Sequence, residues 1–284
     1  MPSNPVNVLA TGLRFPEGPV FTPDGALWCV ELKGGGLARW QQGELTRVDT
    51  GGGPNGAAVD QAGRIWFCDS GHNSIRRLDP QTGACVSIVE QLEGRPFFKP
   101  NDLAFDAAGN LLFSCPGDSR QEPTGYACCL APSGEVSVIT REKYFPNGLA
   151  FVNGGHSLIL AETYRQRLWI GEWDPQRREW RNARIWAGDV TGAPGPDGMA
   201  LGTDGLLYVA VYGSGQIKIF DAAGQQVGAR DLPGKNPTNC AFDPAGPLGL
   251  VVTEAEHGEL LSLPDLGLGV PLFAPELHRE EPRP

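Results

Sequence analysis

The sequence predicts an all-β fold, a six-bladed β-propeller with four antiparallel strands per blade. Three observations carry that prediction. One phrase recurs six times, each copy joins a short strand to a run that is apolar on both faces, and turn formers are abundant, with 39 Gly and 25 Pro in 284 residues. Copies spaced by 38 to 50 residues match blades of four strands each.

The copies open at Phe15 (FPEGPVFTPDGALWCVE), Gly53 (GPNGAAVDQAGRIWFCD), Lys99 (KPNDLAFDAAGNLLFSC), Phe145 (FPNGLAFVNGGHSLILAE), Gly195 (GPDGMALGTDGLLYVAV) and Asn236 (NPTNCAFDPAGPLGLVV). In each, a first strand of the GLAF kind meets a glycine turn and then a second strand such as LLYVAV. A strand sandwiched between neighbouring blades needs apolar residues on both faces, so a continuous run replaces alternation. Outer strands alternate more, as in GQIKIFD, and turns such as DPQTG, APSG and DAAG join third strands to fourth.

The leading VNVLATGL is expected to supply a strand to the last blade, closing the ring and removing free sheet edges. Residues 1–274 then form one propeller, and 275–284 a flexible tail, since FAPELHREEPRP is polar and Pro-rich. A β-sandwich or barrel is the competing architecture.

A net charge of −10 repels phosphate backbones and anionic lipid, so neither nucleic acid nor membrane is expected as a partner. The start has no basic-then-apolar leader, and no apolar stretch approaches the roughly 20 residues that span a bilayer. Seven cysteines with no CxxC spacing read as reduced, buried thiols, and the expected location is cytoplasmic.

The residue after each repeated proline starts an innermost strand, which brings Glu17, Asn55, Asn101, Asn147, Asp197 and Thr238 around one end of the channel. Turn chemistry explains Pro, Asn, Asp and Gly there. It does not explain Glu17, nor why only this position carries carboxylates. Carboxylates and amides converging on a channel call for a cation, and a donor set of oxygen alone favours a hard divalent ion such as Ca²⁺, Mg²⁺ or Mn²⁺ over zinc.

RFPEGPVFTPDG, FPNGLAF and GPDGMALGTDGLLYVAVYGSGQIKIFD resemble the senescence marker protein/gluconolactonase family, also called regucalcin-like proteins, over essentially the whole chain, and especially its bacterial drug-responsive lactonases. The resemblance implies a six-bladed propeller and one divalent metal held by Glu17, Asn147 and Asp197. Calcium is the first expectation for that ion, with magnesium, manganese, zinc and iron as alternatives. It further implies a substrate contact at Asn101 in KPND. Lys99 stands near the position where family members carry a basic sugar-binding residue, though Pro100 intervenes. The loop SCPGDSRQEPTGYACC falls where further substrate contacts lie, which singles out Arg120 and Tyr126, and His257 follows the last inner strand.

An open, charge-compensated divalent site suits hydrolysis, with the ester carbonyl polarised and Asp197 as general base. GxSxG, HExxH and Walker motifs are absent. The expectation is a metal-dependent lactonase acting on a small aldonolactone-like substrate, as a monomer or weak homo-oligomer. The alternatives are another metal-dependent esterase or phosphotriesterase on this scaffold, or a non-catalytic calcium- or ligand-binding propeller.

Overall fold

The computed structural model describes residues 5–276. Among them lie six four-stranded antiparallel sheets, one per repeat, arranged as a six-bladed β-propeller. The innermost strands are Pro16–Phe21, Pro54–Val59, Leu103–Phe105, Pro146–Val152, Gly195–Leu201 and Pro237–Phe242. They belong to blades 1 to 6 in that order.

Asn7–Ala10 pairs antiparallel with Glu259–Leu263 in blade 6, with Asn7 opposite Ser262 and Val8 opposite Leu261. Ring closure therefore joins the N-terminal strand to the last repeat, as the leading apolar residues predict. The second strands Leu27–Glu31, Ile65–Asp69, Leu111–Cys115 and Leu250–Glu254 are buried at every position, and Ser157–Glu162 and Leu207–Tyr212 at all but one end residue. Their doubly apolar runs pack between blades: Trp66 and Ile75 of blade 2 share a cluster with Leu103 and Phe113 of blade 3. Burying a side chain of that size contributes about 1.5–3 kcal/mol. All seven cysteines are free thiols, six of them buried.

Two features are additions to the repeat. A short hairpin, Gln91–Leu92 with Arg95–Pro96, precedes blade 3 and delivers Phe97 edge-on to Phe113 at 5.1 Å. After the last blade the chain crosses the end of the ring remote from the repeated prolines. Thr203 N donates to Leu268 O at 2.8 Å, Val270 N to Leu201 O at 3.0 Å and Gln61 N to Pro275 O at 3.2 Å. Phe273 meets Phe151 at 6.0 Å. Of the tail expected over 275–284, residues 277–284 lie outside the described part. No described helix is long and apolar enough to cross a membrane.

Candidate active site and metal centre

In blades 1, 2, 4 and 6 the turn that enters the inner strand is held by a buried carboxylate at the end of the second strand. Glu31 Oε1 accepts from Arg14 N at 2.8 Å, Asp69 Oδ1 from Gly53 N at 2.9 Å, Glu162 Oε1 from Tyr144 N at 2.7 Å and Glu254 Oε1 from Asn236 N at 2.9 Å. Three of these acids also bind an arginine, Glu31 with Arg47, Asp69 with Arg76 and Glu162 with Arg167. They are scaffold groups that set the direction in which the next residues leave the turn.

The residues just before the proline are held in the left-handed region at Phe15 (φ 59°), Lys99 (φ 52°) and Phe145 (φ 59°). Bulky side chains rarely adopt it, and each instance costs about 1–3 kcal/mol. All three side chains line the mouth of one cavity of about 320 Å³. Glu17, Asn55, Asn101, Asn147 and Asp197 line the same cavity. Five of the six ring positions are therefore brought together.

The sixth, Thr238, is fully buried in the wall. Its hydroxyl donates to Pro16 O at 2.7 Å and lies 2.8 Å from Thr253 Oγ1, tying blade 6 to blade 1. Lys99 and Arg120 line the mouth, whereas Tyr126 and His257 are not among the lining residues. The Tyr126 hydroxyl accepts from Phe98 N at 3.2 Å, behind the loop. His257 sits on the blade 6 loop with Nδ1 3.7 Å from Glu259 Oε2, and together with Glu254 these groups place potential ligand atoms within 4.8 Å of one another.

Two buried residues beside the ring positions, neither of them lining the cavity, belong to the same cluster. At the position where blades 1, 2, 4 and 5 carry Gly18, Gly56, Gly148 and Gly198, blade 3 carries Asp102 and blade 6 carries Asn239. Blades 3 and 6 are opposite in a six-membered ring, and Asn239 Nδ2 reaches Asp102 Oδ2 at 3.4 Å. A Cβ on Gly56 would collide with Asp102, and one on Gly198 with Asn239, so the glycines reserve the space. The signal in the sequence was the break in the Pro-x-Gly phrase at these two copies.

Glu17, Asp102 and Asp197 thus share a buried cluster. Burial pushes Glu17 well above its ordinary pKa, and the charges of Asp197 and then Asp102 push it further. Burial and Asp102 raise Asp197 likewise, and burial raises Asp102 to about 6. Among the described residues none of the three forms an ion pair with a basic side chain. Asn147 lends partial relief by hydrogen-bonding Asp197, while its Nδ2 lies 3.3 Å from Thr163 Oγ1, which donates to Pro196 O at 2.8 Å.

Three carboxylates without a counter-charge, beside amide oxygens, fit a divalent cation with oxygen ligands. Glu17, Asn147 and Asp197 are the candidate holders, with Asp102 adding negative charge nearby. The mouth is aromatic: Phe15 stacks on Tyr212 with centroids 6.3 Å apart, and Phe145 meets Tyr164 at 5.4 Å.

Comparison with known proteins identifies the family and bears out the fold. A protein from Zymomonas mobilis named gluconolactonase is 27% identical, covering 86% of this chain and 77% of that protein. Diisopropyl-fluorophosphatase of Loligo vulgaris is 31% identical, covering 85% of this chain and 86% of its own. A solved structure from Xanthomonas campestris, described as a gluconolactonase, superposes with a TM-score of 0.80 at 25% identity over 91% of this chain and 89% of that one. The family model for the SMP-30/gluconolactonase/LRE-like region matches residues 15–256. The chain belongs to the SMP-30/gluconolactonase/LRE-like family.

Proposed function

We propose that this protein is a divalent-metal-dependent lactonase that opens a small lactone to its hydroxy acid. The observation that carries the reading is the convergence of Glu17, Asn147 and Asp197, with Asp102 buried nearby, on the floor of one cavity without an ion-paired basic side chain among the described residues. Lactonase activity among relatives at 27% identity supports the reaction class.

A divalent ion, when bound there, supplies Lewis-acid polarisation of the ester carbonyl. Glu17 and Asp197 compensate its charge, and Asn147 contributes an uncharged oxygen. One carboxylate oxygen of Asp197 suffices to hold the ion, leaving the second to take a proton from the attacking water. Asn101, on the cavity wall, orients the lactone or that water. Phe15, Phe145 and Tyr212 wall the mouth and limit water around the ester. The all-oxygen donors suit a hard ion, calcium first by the family resemblance, with magnesium or manganese fitting the same donor type.

A pH-drop assay on aldonolactones and simple lactones, with metal-stripped protein given single divalent ions, tests the reading. Hydrolysis restored by an ion supports it, and silence with ion demonstrably bound rejects it. The 31% identity to diisopropyl-fluorophosphatase favours one second reading, a phosphotriesterase-like hydrolase on the same floor. Fluoride release from diisopropyl fluorophosphate, faster than any lactone is opened, would select that reading instead.

A further inference from the structure

The mouth of the cavity has the opposite charge character to its floor. In a chain of net charge −10, two cations, Lys99 and Arg120, line the opening beside Asp118, and Lys33 stands just outside it; each of the three cations lies over an aromatic ring. Lys33 Nζ lies 4.8 Å from the centroid of Phe15, Lys99 Nζ 5.5 Å from Phe98, and the Arg120 guanidinium carbon 5.8 Å from both Phe145 and Tyr164. Phe15, Phe145 and Tyr164 are wall residues.

Of the three cations, Lys99 is paired, with Asp118 Oδ1 at 2.8 Å. Neither Lys33 nor Arg120 forms an ion pair among the described residues, although the Lys99 hydrogen bond and the charges of Lys99 and Arg120 together hold the Asp118 carboxyl below its usual range. Arg120 is also the cation whose loop is pinned. Phe145 N donates to Ser119 Oγ at 2.9 Å, Ser119 Oγ donates to Pro116 O at 2.6 Å, and Gly117 N donates to Phe98 O at 3.0 Å. A guanidinium beside two rings, with no side-chain hydrogen bond among the described residues, is a ready partner for a carboxylate or phosphate.

We propose that the preferred lactone carries an anionic group at the end distal to its ester, and that Arg120 is the specificity-determining residue that receives it. The inference rests on the lactonase reading. With the ester carbonyl at the acidic floor, the far end of a small ring molecule in a cavity of about 320 Å³ faces the rim. A hydroxyl there would gain only a neutral acceptor's bond to Arg120. A carboxylate would gain charge-assisted, two-pronged bonds, which contribute roughly twice as much. The carboxylate formed by ring opening arises at the floor, so the rim is matched to a charge the substrate already has. The lactone of a sugar diacid meets this requirement, and so does a phosphorylated aldonolactone, because both present an oxyanion on the terminal carbon.

The test uses the full-length protein with its activating ion and four lactones in two pairs. Galactarolactone and galactonolactone differ only in a terminal carboxylate in place of a hydroxymethyl, and a phosphorylated gluconolactone provides the phosphate arm against plain gluconolactone. We expect kcat/KM for an anionic member to exceed that of its neutral partner by about tenfold or more, mostly through KM, with the advantage shrinking at high salt. Arg120→Gln is expected to bring the ratio within about threefold, and Arg120→Lys to leave an intermediate ratio, as a point charge replaces a fork. Preference for galactarolactone identifies the carboxylate, and preference for the phosphorylated lactone the phosphate. Equal rates within both pairs, or a preference that survives Arg120→Gln unchanged, overturn the proposal while leaving the lactonase reading intact. Silence on every lactone overturns both.

Discussion

Asn239 of blade 6 meets Asp102 of blade 3 across the propeller axis, Nδ2 to Oδ2 at 3.4 Å. The contact holds a buried acid near enough to the two carboxylates proposed to hold metal that its charge raises both Glu17 and Asp197. The Asp102 side chain has two further anchors, its own neighbour Leu103 N at 2.8 Å and the space left by Gly56.

Asp102→Asn removes one of three buried charges and keeps the shape. In metal-stripped protein at neutral pH we expect a gain of about 1–2 kcal/mol, read as a rise of roughly 2–4 °C in Tm per kcal/mol. Calorimetric titration should show weaker divalent-ion binding in the same variant. A lower Tm for the stripped variant would mean that Asp102 stabilises the fold and does not strain it.

Thr238 makes the opposite prediction. Thr238→Val deletes the hydroxyl that satisfies Pro16 O, at a cost of about 1–3 kcal/mol, and touches nothing on the cavity floor. The measurement is Tm beside ion affinity: the first should fall and the second stay unchanged. Loss of ion binding at constant Tm would return Thr238 to the ligand ring.

Acid should weaken the ion's grip in a defined direction. The raised pKa values of Glu17, Asp102 and Asp197 mean that the stripped native protein keeps protons its unfolded chain releases near the ordinary values of 4.5 for Glu and 3.8 for Asp. Their contribution to stability is full below those values and is lost as pH rises, through about 6 for Asp102. The Tm difference between ion-saturated and stripped protein should therefore widen as pH rises from about 4 to about 7. Taking the difference cancels the groups shifted the other way, such as Asp69. A constant or narrowing gap would exclude these carboxylates as the ion's ligands.

The blades were legible because a strand buried on both faces requires an unbroken apolar run, and LLYVAV or LILAE admits no other place in a soluble fold. The convergence of Glu17, Asn55, Asn101, Asn147 and Asp197 on one cavity was legible for a related reason, because one repeated backbone position sends one side chain to one end of the channel, whereas the family resemblance alone singled out Glu17, Asn147 and Asp197 as ion holders. The same logic misplaces Thr238, whose short side chain finds a carbonyl of the next blade before it can reach the cavity. Asp102 and Asn239 escaped because attention to the variable position hides a change at the glycine beside it. His257 sits in a turn, and Tyr126 lies in the strand Gly125–Leu130 with its hydroxyl taken up by Phe98 N, 28 residues away, a contact that no local pattern encodes.

The most direct test is hydrolysis of a lactone by stripped protein with one divalent ion restored, compared with Glu17→Gln and Asp197→Asn under the same conditions. Glu17→Gln is expected to lose ion affinity and Asp197→Asn to lose at least about a hundredfold in kcat, since a positioned base contributes roughly 10²–10⁴-fold. Full activity without ion, or in either variant, would contradict a metal-held, Asp197-assisted lactonase.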